Sequence, residues 1–410
     1  MPPWCAERAA TGRLRCAASS RHSRFVRPRR RPRNSAIAAR DRRSVLRARA
    51  ARRRRARPQA AYALGERLLG AKISHSLAGT RIAQQRLDDA ARLTERALDG
   101  FRRHGTPYDV ASAQLTLASI ASRQDRCLER VAYADQARAA IEPGGFRVLY
   151  QLFPGQDVPS AARIRAGMAA FAAGDALGVP WEGRPPREID ADQVTAVPVR
   201  NGWPRGATSD DTAQLLLVAR HLVATSGQVS EREFLTELSQ DLLAMRGAGP
   251  TTRAAIARYR HGGQLYATTG DTNGALMRIL PAGWAVPATS VERRRDVVTR
   301  LTRVTHGALV AAAAACAVAA MASHALEGCP ASALVTVALG EFAQVLGEHS
   351  AAAVWLQMVR AAADGSWQPG PNGVSLHAAE TLAAVVHVMT ARGGDLDAAM
   401  RYAVGLGGGH

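Results

Sequence analysis

Apolar residues recur at helical spacing along most of this 410-residue chain, and the pattern changes character along its length. Residues 1–60 show no apolar periodicity. Residues 61–142 carry short amphipathic stretches, with small residues where helices would cross. From Ala161 onward the pattern is one of long helices separated by Gly/Pro loops, with no alternating stretch of strand type. An all-α fold follows, divided into an arm (1–60), a helical segment (61–142), a Pro/Gly linker (143–160) and a larger helical domain (161–410).

The helical segment repeats. "SLAGTRIAQQRLDDAARLTERALDGF" and "TLASIASRQDRCLERVAYADQARAAI" align at an offset of 40, pairing Leu77 with Leu117, Ala78 with Ala118, Arg86 with Arg126 and Ala97 with Ala137. Each unit reads as two short helices, with "HGTPYD", His104 to Asp109, linking the units. The pair resembles a degenerate tetratricopeptide hairpin pair, which implies a protein partner held by the repeats. An unrelated helical bundle is the other reading.

Composition supports close-packed helices, since aromatics make up 5% and alanine is abundant. The longest uncharged apolar run, Gly307 to Ser323, is alanine-rich and at the lower length limit for a membrane span. It reads as a buried core helix, and no membrane association is expected. The net charge of +20 belongs to the arm: residues 1–60 hold 20 arginines against Glu7 and Asp41, leaving about +2 (20 minus 18) for the rest. The arm could neutralise phosphates or be a non-specific tail. No aromatic residue interleaves Arg52–Arg55, so nucleic acid is not the expected partner. Cys5, Cys16, Cys127, Cys316 and Cys329 form no Cys-x-x-Cys or Cys/His cluster. Neither a zinc site nor a disulfide framework is expected, and a reducing, cytoplasmic setting fits.

The chemistry concentrates after residue 161. In "SDDT", Ser209 to Thr212, two carboxylates sit between two hydroxyls, ahead of Leu215, Leu216, Ala219 and Leu222 at helical spacing. Read alone, this is a capped helix start with acids in its first turn. The same hydroxyl and carboxylates are also hard oxygen ligands for a divalent cation. Upstream, Gly167, Ala170, Gly174 and Gly178 allow close backbone approach around Asp175, and Glu182 follows Pro180 on an exit loop. Downstream, Asn273 and Gly274 form a turn, Met277 offers an apolar wall, and His306 opens the alanine helix.

The order "GDALGVPWE", "SDDTAQ", "TNGALMR", "THG" resembles the ADP-ribosylglycohydrolase family, from about Ala161 to the C-terminus. The resemblance implies a compact all-α domain with two Mg²⁺ ions, or Mn²⁺ in their place, in a central cleft. Ser209, Asp210 and Asp211 would hold metal. Glu182 and Asp211 would orient or deprotonate water, and Asn273, Gly274, Met277 and His306 would meet the ADP-ribose moiety. Asp175 would be a supporting, structural carboxylate. The implied activity is metal-dependent removal of ADP-ribose from a modified protein side chain or an ADP-ribosyl small molecule. An inactive relative that binds ADP-ribose or a protein is the alternative.

The family pattern includes a second acidic motif, Gly-Gly-Asp-x-Asp-Thr, near the C-terminus. Here "AMRYAVGLGGGH", Ala399 to His410, ends where those acids are expected. The earlier "GGDLDAA" is not assigned as its substitute, because "DAAMRYAV" reads as a helix, so Asp395 and Asp397 are not taken as ligands. A truncated site implies weak or no turnover and an exposed apolar face beside Leu382, Val386 and Val404.

Overall fold

Side-chain caps open several of the described helices, among them those that start at Pro107, Asp210, Glu231, Ala378 and Leu396. The computed structural model describes residues 66–144, 160–195, 197–200 and 202–409. Thr106 accepts from the Asp109 amide, and the Asp109 carboxylate accepts from the Thr106 amide at 2.9 Å, with Pro107 in the first helical position. "HGTPYD" thus joins the two hairpins, ending one helix at His104 and starting the next at Pro107, where a capping box satisfies orphan amides and the proline lacks one. The arm and residues 145–159 of the linker lie outside the described residues.

Two hairpins form the N-terminal part. Helix α1 covers residues 66–83 and α2 is Leu87–His104; α3 is Pro107–Arg123 and α4 is Cys127–Gly144. The repeat is visible in the backbone. Gln85 and Asp125, forty residues apart, both take left-handed conformations (φ 58° and 57°). The bonds Arg86 N–H to Arg81 C=O and Arg126 N–H to Ala121 C=O are both 2.9 Å. Each closes its first helix with the same 6→1 motif. Ala78, Ala118, Ala97 and Ala137 are all fully buried, as small residues at helix crossings should be. Leu77 is 39% exposed while its counterpart Leu117 is buried, so the packing symmetry is incomplete. The structure shows repeated hairpins, and the tetratricopeptide resemblance stays a reading of the sequence.

The larger part runs α5 (Ser160–Gly178), α6 (Ala191–Val194), α7 (Asp210–Ala224), α8 (Glu231–Asp241), α9 (Pro250–Gly262), α10 (Leu280–Ala285), α11 (Val291–Arg303), α12 (Leu309–Leu326), α13 (Ala331–Leu346), α14 (Ala352–Ala363), α15 (Ala378–Arg392) and α16 (Leu396–Gly405). No strand occurs among the described residues, where β-type pairing is limited to isolated bridges. The alanine-rich α12 is long and apolar enough to cross a membrane, yet 78% of it is buried within the protein. It packs against α10, α11, α13 and α15. Leu382 and Val386 are fully buried and Val404 is 4% exposed, so the expected apolar face beside them is absent. Leu216 departs from the α7 pattern: it is 44% exposed, while Leu215, Leu217, Val218 and Leu222 form the buried face.

The hairpins and the larger part belong to one compact unit, Gly65–His410. Cys127 and Val131 of α4 join the main core, Arg130 donates to the Glu327 carbonyl, and Arg138 pairs with the Glu327 carboxylate at 3.5 Å. Cys127 and Cys329 form a disulfide across 202 residues of sequence. This corrects the expectation of no disulfide, and withdraws the cysteine pattern as a ground for a reducing compartment. Only the fold brings two cysteines so far apart in sequence together. In the loop-entropy picture such a cross-link is worth on the order of 5 kcal/mol.

Candidate functional site

The cap-or-ligand question at "SDDT" is answered by a side chain 34 residues upstream. Asp175, near the end of α5, accepts from the Ser209 amide at 3.0 Å, the Thr212 amide at 3.2 Å and the Thr212 hydroxyl at 2.5 Å. Ser209 Oγ accepts from the Asp211 amide at 3.1 Å. Asp175 and Ser209 therefore satisfy the Asp211 and Thr212 amides that open α7, and the Asp211 carboxylate is left free of that capping.

Those carboxylates are electrostatically uncomfortable. Asp210 is 6% exposed and accepts from Gln214 Nε2 at 2.7 Å. Burial raises its pKa, the Gln214 hydrogen bond opposes the rise, and Glu182 and Asp175 add to it. Burial pushes the Asp211 pKa well above the carboxylate range, and Asp210, Asp175 and Glu182 push it further. Burial and like charge act in the same direction, and a bound cation would reverse both.

Asp211, Asp175, Ser209 and Glu182 line a cleft of about 290 Å³, walled also by Phe171, Gly174, Gly178, Val179, Met400, Ala403 and Val404. Of the small residues of α5, Gly174 and Gly178 line this cleft, while Gly167 packs against Trp284. Glu182 is fixed from two sides. The adjacent Trp181 is buried with Val194 and Val404. From the other side, the Gly183 amide donates to the Gly408 carbonyl at 2.8 Å, and the Gly408 amide donates to the Arg184 carbonyl at 2.8 Å. At Gly408 (φ 94°) a Cβ would lie 2.1 Å from the Val374 carbonyl oxygen, so only glycine passes between the two loops. The Glu182 carboxylate pairs with Arg200, whose guanidinium lies over Trp203 at 4.5 Å.

Asn273, Gly274, Met277 and His306 do not line this cleft. They form a second cluster. The 3₁₀ turn Asn273–Ala275 is held by the Asn273 amide donating to the Leu376 carbonyl at 2.8 Å. Met277 is half-buried. His306 is 1% exposed, with Thr272 Oγ1 at 3.0 Å from Nε2 and Thr305 Oγ1 at 2.8 Å from Nδ1. Its ring lies directly behind Gly274, where a Cβ would come within 2.9 Å of it. His306 therefore backs the turn, with both ring nitrogens against threonine hydroxyls. Burial lowers its pKa to about 3, so the ring is neutral.

Three residues escaped the sequence reading: Gln214, Arg278 and Arg200. The first two sit inside quoted motifs, and the signal was their polarity at positions the helical pattern buries. Arg200 carried no signal, since its role depends on where two loops meet. Asp395 caps α16, accepting from the Ala398 amide at 3.1 Å, and Asp397 pairs with Arg401. Both lie at the N-terminal end of α16, and the cleft is lined instead by Met400, Ala403 and Val404 further along it.

As to metal, the donors fit in kind: a hydroxyl, a buried carboxylate (Asp210) and a partly buried one (Asp211) under mutual repulsion. Among the described residues, no three acid, histidine or cysteine side chains converge as a ready-made metal group.

A family model described as ADP-ribosylglycohydrolase matches residues 157–409. The chain is similar to Uncharacterized protein YegU of Escherichia coli (strain K12), 31% identical over 189 residues, covering 42% of this chain and 57% of the relative. It thus spans little more than half the length of that relative. It is also similar to a solved structure described as an ADP-ribosylglycohydrolase-related protein complex, at 29% identity and a TM-score of 0.48, covering 59% of this chain and 79% of that one. With the acidic start of α7, the Glu182 loop and the Thr272–Arg278 turn all inside the matched span, the chain belongs to the ADP-ribosylglycohydrolase family, whose members act on ADP-ribosyl linkages and generally depend on a divalent metal.

Proposed function

We propose that the chain hydrolyses the glycosidic bond joining ADP-ribose to a protein side chain or to a small carrier, with Ser209, Asp210 and Asp211 holding a divalent ion, Mg²⁺ or Mn²⁺. One observation carries the reading. Three carboxylates, Asp175, Glu182 and Asp211, line one cleft with Asp210 next in sequence, and burial first, then the like charges of its neighbours, raise the Asp211 pKa well above the ordinary carboxylate range. When bound, the ion would polarise ribose hydroxyls and lower the pKa of a water.

The chain's own residues supply the rest. Glu182, on a clamped loop at the cleft edge, is positioned to orient an incoming water and accept its proton. Asp175 keeps the start of α7 rigid, so Asp210 and Asp211 hold their direction. The anionic wall would stabilise positive charge developing at the ribose carbon, as carboxylates do in other glycoside hydrolysis. The paired hairpins, locked to the larger part through Cys127 and Arg130, would supply a surface for a protein partner.

A second reading, ADP-ribose binding without turnover, is favoured by the shortfall in converging acid side chains. One assay separates the two. The full chain is incubated with a mono-ADP-ribosylated protein, with and without Mg²⁺ or Mn²⁺, and free ADP-ribose is measured. Metal-dependent release supports hydrolysis. Retention of the modified protein with no release, under every ion tried, sinks it in favour of binding.

A further inference from the structure

The hydrogen bonds of one buried cation join the two clusters. Arg278 ends the Thr272–Arg278 segment and is fully buried. Its guanidinium contacts are all neutral. Nη1 donates to Gln214 Oε1 at 2.6 Å, and Nη2 donates to the Leu301 carbonyl at 3.1 Å and to Thr305 Oγ1 at 2.5 Å. The Phe234 ring lies 5.5 Å from it. Burial lowers the Arg278 pKa to about 10, so it stays charged at neutral pH, and Asp210 acts on it from beyond Gln214. A buried cation without direct contact to an anion is expensive, and an apolar side chain of similar size would stabilise a core as well or better. Packing does not explain its presence.

The polarity of the bonds does. An arginine can only donate, so Gln214 must turn its carbonyl toward Arg278 and its amide toward Asp210 Oδ2, 2.7 Å away. Thr305 Oγ1 is likewise an acceptor from Arg278. Its one proton then goes to His306 Nδ1 at 2.8 Å, in preference to the Thr302 carbonyl at 3.4 Å. With Nδ1 accepting, neutral His306 carries its hydrogen on Nε2 and donates to Thr272 Oγ1 at 3.0 Å.

We infer that Arg278 is a positioning residue that sets two hydrogen-bond chains at once: through Gln214 it orients the Asp210 carboxylate, and through Thr305 it fixes His306 as the Nε2–H tautomer beneath the Asn273–Gly274 turn. The first arm rests on the proposed reading of Asp210 as a metal-holding group; the second does not.

The test uses the full chain and two readouts that need no turnover: Mn²⁺ and Mg²⁺ titration by calorimetry, and the ¹⁵N shifts of the His306 ring, identified by their loss in H306Q. R278M is expected to weaken metal binding about 10–100-fold, the usual effect of losing a partner behind a ligand, and to change the His306 tautomer. Q214M should weaken metal binding while leaving the tautomer alone, and T305V should do the reverse. R278K, which keeps the charge but not the fork, should restore at most one arm. Wild-type metal affinity and tautomer in R278M, with only a changed melting temperature, would overturn the inference. If R278M fails to fold, the two single-arm variants decide, and wild-type values in both overturn it. Absence of metal binding in the wild type overturns the Asp210 arm. Metal binding without ADP-ribose release sinks the proposed function and leaves this inference standing.

Discussion

The acidic wall runs from buried Asp210 to exposed Glu182 while the Asn-Gly turn is backed by buried His306, and burial acts on their titratable groups in opposite senses. At the wall, burial disfavours carboxylate charge, and the neighbours carry the same charge, so Asp211 is driven far above its usual range. At the turn, burial disfavours imidazolium, and the nearby Arg278 disfavours it further, so His306 is held neutral near 3. The turn resolves its polar groups internally: both His306 nitrogens have threonine partners. The wall does not, since its carboxylates repel one another, with Arg200 paired to Glu182 at the exposed edge and Arg278 acting on Asp210 only from behind Gln214. The turn is a finished scaffold, and the wall is finished by something it binds.

The largest break in this contrast should come from the wall. D210N combined with D211N is expected to lower ADP-ribose release on the order of a thousandfold or more. Helicity should survive, because Asp175 and Ser209 do the capping. Unchanged metal titration and turnover would reduce the wall to a helix start. E182Q should cost about a hundredfold or more if Glu182 accepts the water's proton.

The two regions should next differ in their response to pH. A raised folded pKa at Asp211 means stability that is present at or below its ordinary 3.8 and lost as pH rises through the folded value. A lowered folded pKa at His306 means stability present above its ordinary 6.5 and lost as pH falls toward about 3. At ~1.4 kcal/mol per unit, the histidine contribution amounts to a few kcal/mol. Urea unfolding of the metal-free chain between about pH 3 and 8 reads both limbs. D211N should flatten the decline toward neutrality, and H306Q the decline toward acid. Parallel curves for all three proteins would show that neither group carries the dependence.

A smaller effect is expected from G274A. Its methyl group would meet the His306 ring, so overpacking should cost about 1–3 kcal/mol in stability and raise KM by displacing the turn. An unchanged melting temperature would mean the ring yields freely. The smallest effect belongs to R200A. The Arg200–Glu182 pair is more than a third exposed on both sides, so its loss should move stability by less than about 1 kcal/mol. Any larger change in melting temperature would mark the pair as structural.

Local signals in the chain were enough for the helical class, the repeat at an offset of 40 and the α7 start. Each depends on residues within one or two turns: apolar spacing, a capping hydroxyl, a proline at N1. The acidic motif and the Glu182 loop were legible as a constellation through their order, although no single motif was decisive. The Cys127–Cys329 bond, the Asp175 cap on α7 and the Arg200–Glu182 pair were not legible, because each joins residues 18 to 202 positions apart.

What the sequence by itself determined is therefore the set of helices and the chemical kinds present at the site. What only the tertiary structure decided is which groups are satisfied and which are left under strain. Asp175 was expected to be a supporting carboxylate, and only the fold shows that what it supports is the start of α7. His306 stands just before α12 in the sequence, and only the fold places its buried ring behind Gly274. Arg278 was an unremarked motif residue, and it became the donor that orients both clusters. The physical reason is that hydrogen-bond direction and desolvation depend on what lies within a few ångströms in space. Helical periodicity, by contrast, depends on what lies within four residues along the chain.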